Sequence, residues 1–305
     1  MRALAEWVMR GRLQAIVATV LSASIPLLFL WVEAGSARLL LGLVATVLMT
    51  LSAAIVGLVV LRRTVSDGVG LMFWALLPAL VWLVWRDEAS PLVALIGTTA
   101  LAVVLKRTVS WSQTLSVATV VALMISFLID TLLPGTLIQV TTAAGQLIEI
   151  LEQTHPQVAQ EIDVNWLREL LLGVIVASYL GTVLSSLALS RWWQSMLYNP
   201  GGFREEFHGL RLPRLFAAAG LIVLVLADSL PGEMVRWLPV MITPFMMAGM
   251  ALIHGTVAKR SLSRSWLIAF YTGMFIAGPY LIALLIMLAV ADSFIDIRHR
   301  LKART

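Results

Sequence analysis

Cysteine is absent from this chain of 305 residues, and charged residues make up only 13% of it. Without thiols the protein can form no disulfide, use no cysteine nucleophile and offer no thiolate to a metal. The four histidines, His155, His208, His254 and His299, are scattered without the spacing of a metal site. We therefore expect no bound metal.

The motifs of several enzyme classes are missing as well. The sequence contains no G-x-x-x-x-G-K-[ST] loop for nucleotide phosphates and no H-E-x-x-H pair for catalytic zinc. It also lacks the G-x-S-x-G turn that presents an acyl nucleophile. We expect a protein that is not an enzyme and that uses no cofactor.

Apolar residues dominate what is present. Hydrophobic residues make up 60% of the chain, and its mean hydropathy is +0.92. A water-soluble core cannot hide so much apolar surface, so lipid must act as the solvent. Only helices and closed barrels satisfy their backbone hydrogen bonds in lipid, and about 20 apolar residues span the hydrocarbon as a helix. The sequence therefore predicts an all-α, polytopic transmembrane helix bundle, a single integral membrane domain whose first partner is the lipid bilayer.

Nine apolar stretches are candidates for membrane spans. They are Leu13–Val32, Leu39–Leu61, Val69–Trp85, Pro91–Leu105, Ser112–Leu133, Leu167–Ser190, Leu212–Leu230, Trp237–Val257 and Trp266–Asp292. The third and fourth are short, and the last is long and contains Gly278-Pro279, which can break a helix. We predict about eight spans, eight or nine in all.

The basic residues predict the orientation. With a cytoplasmic N-terminus, most of the 22 Lys and Arg residues fall in inner segments, and only positions 38, 86, 168 and 236 fall outside. The basic tail after residue 297 obeys the same rule only if the number of crossings is even. We therefore predict that both termini are cytoplasmic. Because the basic residues lie in short loops, we expect no direct contact with nucleic acid.

Residues 134–166 differ from the spans because they are acidic and carry a His155-Pro156 break. Leu147, Ile148 and Leu151 follow helical spacing, which is typical of an amphipathic helix. The segment is either a helix on the outer membrane face followed by a loop, or a lid over an outward-facing cavity.

Residues 191–214, RWWQSMLYNPGGFREEFHGLRLPR, form a predicted cytoplasmic loop between two apolar runs. Indole rings and arginine at a helix end are typical membrane-interface anchors. The Asn-Pro-Gly-Gly sequence predicts a sharp turn, and the apolar spacing after it predicts a short amphipathic interfacial helix. The segment is either an interfacial element before the next span or a docking surface for a cytoplasmic partner. The candidate docking residues are Arg191, Trp192, Trp193, Tyr198, Asn199, Pro200, Gly201, Gly202, Phe203, Glu205, Glu206 and Phe207.

Three ionisable residues near the spans are candidate ligand or cavity residues, because charge at membrane depth is costly and usually faces protein or water. Asp130 and Asp228 lie near predicted outer ends of their helices. They are either solvated at the interface or line an outward-facing cavity for a cation or a cationic ligand. His254 lies one turn before the inner end of its span, either as a hydrogen bonder in helix packing or as part of a site.

Three stretches, RWWQSMLYNPGGFREEFHGLRL, LIHGTVAKR and ADSFIDIRHRL, resemble the YybS-like family of bacterial polytopic membrane proteins, and this resemblance covers most of the chain. That family is remotely similar to the S components of energy-coupling-factor transporters, which bind vitamins or metal ions and pass them to an ATPase module. S components contact their partner through small residues one helical turn apart. Ala15, Thr19 and Ala23 match that spacing, which is also common in ordinary packing between transmembrane helices.

The resemblance implies a protein of the bacterial inner membrane that binds or helps to translocate a small solute, as an S-component-like membrane subunit. Other membrane or cytoplasmic subunits are then expected partners, and the sequence leaves the solute open. The alternative function is a membrane anchor that docks a cytoplasmic partner through residues 191–214 and the basic C-terminal tail.

Overall fold

The computed structural model describes residues 1–31 and 38–301, and within them the chain is helical and contains no strand. The predicted all-α class is therefore confirmed. The helices are α1 (Arg2–Arg10), α2 (Arg12–Ser24), α3 (Arg38–Arg62), α4 (Val65–Arg86), α5 (Ser90–Thr108), α6 (Trp111–Leu132), α7 (Pro134–Thr154), α8 (Pro156–Glu161), α9 (Val164–Tyr198), α10 (Gly202–Gly209), α11 (Arg214–Val225), α12 (Trp237–Lys259), α13 (Ser265–Ile276), α14 (Gly278–Ile295) and α15 (Ile297–Arg300). Short 3₁₀ segments follow α2 and α11 and precede α12.

Eight helical segments in the described residues are long and apolar enough to cross a membrane. They are Arg12–Phe29, Leu40–Arg62, Val65–Arg86, Ser90–Thr108, Trp111–Leu132, Val164–Tyr198, Gly232–Lys259 and Gly278–Ile295. A ninth arises if α10 and α11, which are bent by 57° at a short break, form one span. The predicted polytopic bundle of eight or nine spans is confirmed.

The two spans that look short in the sequence are complete helices. α4 has 22 residues and α5 has 19. At the start of α4, the Thr64 side chain accepts a hydrogen bond from the Asp67 backbone N–H, and Asp67 accepts one in return from the Thr64 backbone N–H. This capping box adds a polar first turn, which a search for apolar runs does not count.

The last predicted span is divided into α13 and α14 at the Gly278-Pro279 position that the sequence singles out. Proline at the start of α14 has no backbone N–H to donate, which explains why the helix breaks there. Lys259 Nζ, at the end of α12, donates a hydrogen bond to the Arg298 carbonyl oxygen at 2.7 Å. The end of α12 therefore meets α15, the short helix that follows α14, and α13 returns the chain between α12 and α14.

The chain folds into two compact units, each assembled from segments that are distant in the sequence. Unit 1 comprises Met1–Val109, Ile129–Gln139 and Ser178–Phe203. In it α3 packs against α2, α4 and α5, and the second half of α9 joins them. Ser190 Oγ donates to the Ala54 carbonyl oxygen at 2.9 Å, so a small polar side chain connects α9 with α3.

Unit 2 comprises Ser110–Leu128, Val140–Ala177 and Arg204–Thr305. Its central helix, α12, packs against α11 and α14. Phe245 of α12 and Leu285 of α14 are among the fully buried side chains. By contrast, α13 buries none of its residues.

The segment 134–166 contains the helices α7 and α8 and the start of α9. Thr136, Val140 and Ala144 form one buried stripe on α7, whereas Leu147 and Ile150 are exposed. This pattern is that of a helix with one packed face. Its place on the outer membrane face stays a prediction.

Candidate functional site

A cleft of about 640 Å³ lies in unit 1 at the end of α4. Its lining residues are Trp82, Trp85, Arg86, Asp87, Glu88 and Gln139, together with the aliphatic Val84. They come from the last turns of α4, the connection to α5 and the second turn of α7. The volume lies within the range of about 300–1,000 Å³ that is typical of small-molecule sites.

The connection between α4 and α5 places two carboxylates in this cleft. Asp87 has a left-handed backbone with φ of 52°, a conformation that aspartate tolerates better than most residues, and it ends α4. Glu88 follows, and its Oε1 accepts a hydrogen bond from the Ser90 backbone N–H at 3.0 Å. The Glu88 carboxylate is thereby fixed at the N-terminus of α5.

The Asp87 carboxylate lies against the start of α7. A Cβ atom placed on Gly135 would lie 1.5 Å from Asp87 Oδ2, so only glycine allows the carboxylate this position. The first turn of a helix has backbone N–H groups without partners in the helix, and the helix dipole is positive there. Both effects stabilise a carboxylate at this position. The cleft therefore has two acidic side chains next to helix N-termini, and that of Glu88 is hydrogen-bonded to the backbone.

The aromatic part of the cleft comes from α4 itself. Trp85 is 60% exposed, and Trp82 is half-buried. The Trp82 indole Nε1 is buried and has no hydrogen-bond partner within the part of the chain that the structure describes. The cleft thus combines indole rings, two carboxylates, the Arg86 guanidinium and the Gln139 amide. Such a lining can bind a small polar solute through several groups at once.

A buried ion pair in unit 2 is the strongest polar feature that the sequence did not reveal. Glu169 of α9 and Arg236, just before α12, are 3% and 1% exposed, and Arg236 Nε donates to Glu169 Oε2. Arg236 Nη1 also donates to the Ser126 carbonyl oxygen at 2.8 Å, and Arg168 donates to Glu169 Oε1 at 2.8 Å. Four charged or polar groups from α6, α9 and the start of α12 are therefore connected in one network.

The backbone geometry around this pair is equally tight. A Cβ atom on Gly173 would lie 2.4 Å from the Arg236 carbonyl oxygen, so α9 approaches the start of α12 directly. The distribution of basic residues placed Arg168 and Arg236 in outer loops, and Glu169 was not singled out. The sequence does contain one signal for this pair: Glu169 and Arg236 are oppositely charged and lie at the predicted outer ends of two different spans.

The candidate cavity residues are divided between the two units, with Asp130 in unit 1 and Asp228 and His254 in unit 2. Asp130 lies near the end of α6 in unit 1, half-buried with its Oδ1 buried, and it is not among the residues that line the cleft. The side chain of Asp228 lies outside the described residues. His254 of unit 2 makes a hydrogen bond through Nε2 with the Tyr271 hydroxyl at 2.8 Å and an edge-to-face contact with Phe207. These contacts are those of a histidine in helix packing.

The part of the candidate docking loop that belongs to unit 1 mixes buried and exposed aromatics. Trp193 is fully buried, whereas Trp192 and Tyr198 are 39% and 43% exposed. The Arg62 guanidinium carbon lies 4.0 Å from the centre of the Tyr198 ring. Arg191 Nη1 donates to the Gln194 side chain at 2.7 Å.

The turn that follows has the predicted form. The Gly202 backbone N–H donates to the Asn199 carbonyl oxygen at 3.0 Å, and Gly201 has φ of 93°. A positive φ at the third turn position after Pro200 requires glycine. The Ser195 hydroxyl then accepts a hydrogen bond from the Phe203 backbone N–H at 3.0 Å, which fixes the chain after the turn.

The part of the loop that belongs to unit 2 is largely occupied by internal contacts. Glu206 of α10 accepts a hydrogen bond from Trp111 Nε1 at 3.1 Å, and Phe207 is half-buried against His254. Glu205 is exposed. The two neighbouring carboxylates therefore have different environments, which the sequence alone does not distinguish.

The short helix α15, which follows α14, fixes the segment after α10. Arg298 Nη2 pairs with Asp292 Oδ2 at 2.7 Å, and its guanidinium donates to the carbonyl oxygens of His208 and Leu210. Asp296 pairs with Arg211 at 2.7 Å. The pKa of Asp296 is lowered from its ordinary value. Loss of solvent around the carboxylate acts to raise this pKa, but the hydrogen bond from the His299 backbone N–H and the charge of Arg211 have the larger combined effect. The Asp296 carboxylate is therefore held in its charged form.

The small residues of α2 are covered from within the chain. Ala15, Thr19 and Ala23 are at most 2% exposed, and Ser52 of α3 donates to the Thr19 carbonyl oxygen at 3.0 Å. Small side chains at this spacing allow the close approach of α2 and α3. This face is therefore occupied by α3 and is not open to a second subunit.

We expect Thr19→Leu to lower the free energy of unfolding by about 2 kcal/mol, because the larger side chain overpacks the contact between α2 and α3. Chemical unfolding in detergent micelles measures the change. Thr46→Leu is the matched control, since Thr46 makes the same type of bond to the carbonyl oxygen four residues earlier but is exposed. Equal stabilities of the two variants would contradict this packing.

Within the described residues, no group of three or more His, Asp or Glu residues could hold a metal ion. Comparisons with protein-family models, with curated proteins and with solved structures gave no match. The candidate site is therefore assigned on its own geometry.

Proposed function

We propose that this membrane protein binds a small solute in the cleft at the end of α4 and acts as a solute-binding membrane subunit of the bacterial inner membrane. Membership of the YybS-like family and the remote similarity to S components are part of the same proposal. The observation that carries it is the cleft itself, with two carboxylates at helix N-termini beside two indole rings.

Preorganisation favours this function over a purely structural role for the cleft. Groups that are fixed before binding do not lose conformational freedom when a ligand arrives. The Glu88 carboxylate is fixed in this way by its hydrogen bond at the start of α5, and the Asp87 carboxylate lies beside it against Gly135 of α7. The alternative of a docking loop has less support, because Glu206 and Phe207 of that loop are committed to Trp111 and His254.

The proposal is tested by screening small solutes for an increase in the melting temperature of the purified protein. The screen covers amino acids, amines, carboxylates, sugars and nucleosides, because a solute that binds only the folded state stabilises it. At a solute concentration of about 100 times Kd the expected stabilisation is about 2.7 kcal/mol.

Two glycine substitutions in α7 provide the matched pair for this screen. Gly135→Ala forces the Asp87 carboxylate to move and should abolish the stabilisation, whereas a Cβ atom on Gly145 meets nothing within 4 Å. Gly145→Ala should therefore respond like the wild type. If no solute raises the melting temperature, or if Gly135→Ala responds fully, the cleft is not the binding site.

The orientation is proposed together with the function, with both termini in the cytoplasm and the cleft outside. Because the chain lacks cysteine, single cysteines report accessibility without background. We expect Thr154→Cys, in the exposed last turn of α7, to react with an impermeant maleimide in right-side-out spheroplasts. Ser263→Cys, between α12 and α13, should react only after permeabilisation. The reverse pattern would reject this orientation.

A further inference from the structure

We propose that the solute is a small organic ammonium compound that also carries an oxygen acceptor. This inference rests on the proposed function of the cleft and adds the chemical class of its ligand. Its basis is the arrangement of the carboxylates, the indole rings and the hydrogen-bond donors around one cavity.

The ammonium group is indicated by the anionic and aromatic parts of the lining. Asp87 and Glu88 are adjacent in the chain and both face the cleft with Trp82 and Trp85. Indole rings attract cations at their faces, and quaternary ammonium compounds are commonly bound by such aromatic groups. Each carboxylate oxygen accepts more than one hydrogen bond, so the bond from Ser90 to Glu88 leaves acceptor capacity for the ligand.

The oxygen acceptor is indicated by the donors. The Arg86 guanidinium and the Gln139 amide both carry N–H donors and line the same cleft. A ligand held between these donors must offer them a hydrogen-bond acceptor, because a donor that is desolvated without an acceptor costs free energy. A hydroxyl or carboxylate on the ligand meets this requirement.

A metal ion fits this lining poorly. Hard cations such as Ca²⁺ need about six or more oxygen ligands, and the described residues contain no acidic or histidine group of sufficient size. Indole rings offer no oxygen to such an ion. The aromatic share of the lining therefore favours an organic cation.

The test uses choline and glycine betaine as probes for the purified full-length protein, with binding measured by titration calorimetry at millimolar concentrations. The neutral isostere of choline, in which carbon replaces nitrogen, lacks the charge, and tetramethylammonium lacks the oxygen. We expect choline or glycine betaine to bind and the other two compounds to bind about tenfold more weakly. If the neutral isostere binds as tightly as choline, the inference that the ligand carries an ammonium group is wrong. If tetramethylammonium binds as tightly as choline, the inference that the ligand carries an oxygen acceptor is wrong.

Three variants connect the binding to the cleft. Trp85→Ala should raise Kd about tenfold, within the range of a cation–π contact. Glu88→Gln should raise Kd by a similar factor and remain folded, because the amide oxygen can still accept from Ser90. Trp74→Ala is the control, since Trp74 is an exposed indole on α4 that does not line the cleft. Unchanged affinity in both cleft variants would overturn the assignment.

The two proposals fail in different ways. If neither ammonium probe binds while another solute stabilises the wild type but not Gly135→Ala, the cleft binds solutes of another class. In that case the ligand inference is wrong and the proposed function stands. If no solute of any class binds, both are wrong.

Discussion

Arg236→Met is expected to lower the free energy of unfolding by about 3 kcal/mol, because it leaves the Glu169 carboxylate buried without its main partner. Breaking a buried ion pair from one side typically costs about 3–5 kcal/mol. The lower end of that range applies here because Arg168 still contacts Glu169 Oε1. The variant also removes the donor to the Ser126 carbonyl oxygen. Unfolding by denaturant in micelles, followed by circular dichroism, measures the loss.

A double variant separates the ion pair from simple loss of packing. Glu169→Gln combined with Arg236→Met removes both charges, so its loss should be clearly smaller than the sum of the two single losses. Arg168→Met is the control, because Arg168 is 34% exposed and an exposed ion pair contributes at most about 1 kcal/mol. Wild-type stability of Arg236→Met would show that the pair does not hold unit 2 together.

Arg298→Ala is expected to release the segment between α10 and α11 and to expose it to protease. Arg298 donates to the carbonyl oxygen of His208 in the last turn of α10 and to that of Leu210 in the segment, and it pairs with Asp292, whose side chain is 2% exposed. Its removal leaves the Asp292 charge unpaired, with an expected loss of about 3 kcal/mol. Limited trypsin digestion should cleave the variant after Arg204 or Arg211 at least about tenfold faster than the wild type. A tenfold increase corresponds to a free energy of local opening that is about 1.4 kcal/mol lower than in the wild type.

Arg300→Ala provides the matched control for this experiment. Arg300 is a basic residue in the same tail, two positions further on, and it is exposed. Its substitution should leave the digestion pattern unchanged. Equal digestion of Arg298→Ala and the wild type would show that α11 and its contacts with α12 are sufficient to hold the segment.

The candidate sites were predictable only in part. The Pro-Gly turn at residues 199–202 follows from local sequence, because turn conformation depends on a few adjacent residues. The cleft was not predicted, since it requires Gln139 to lie next to the end of α4, which is far away in the chain. Asp130 and His254 stand out in the sequence as polar residues near spans, but this position does not reveal which other residues they contact.

The sequence by itself determined that this protein is a bundle of membrane-spanning helices and that its last apolar run breaks at Gly278-Pro279. It could do so because each helix in lipid satisfies its own backbone hydrogen bonds, so apolar length and local breakers are sufficient. Only the tertiary structure decided that Glu169 pairs with Arg236, that Asp87 lies against Gly135, and that Glu206 is bound to Trp111. Each of these pairs joins segments that are far apart in the sequence. Which residues meet depends on how the helices pack against each other, and small residues between helices set that packing.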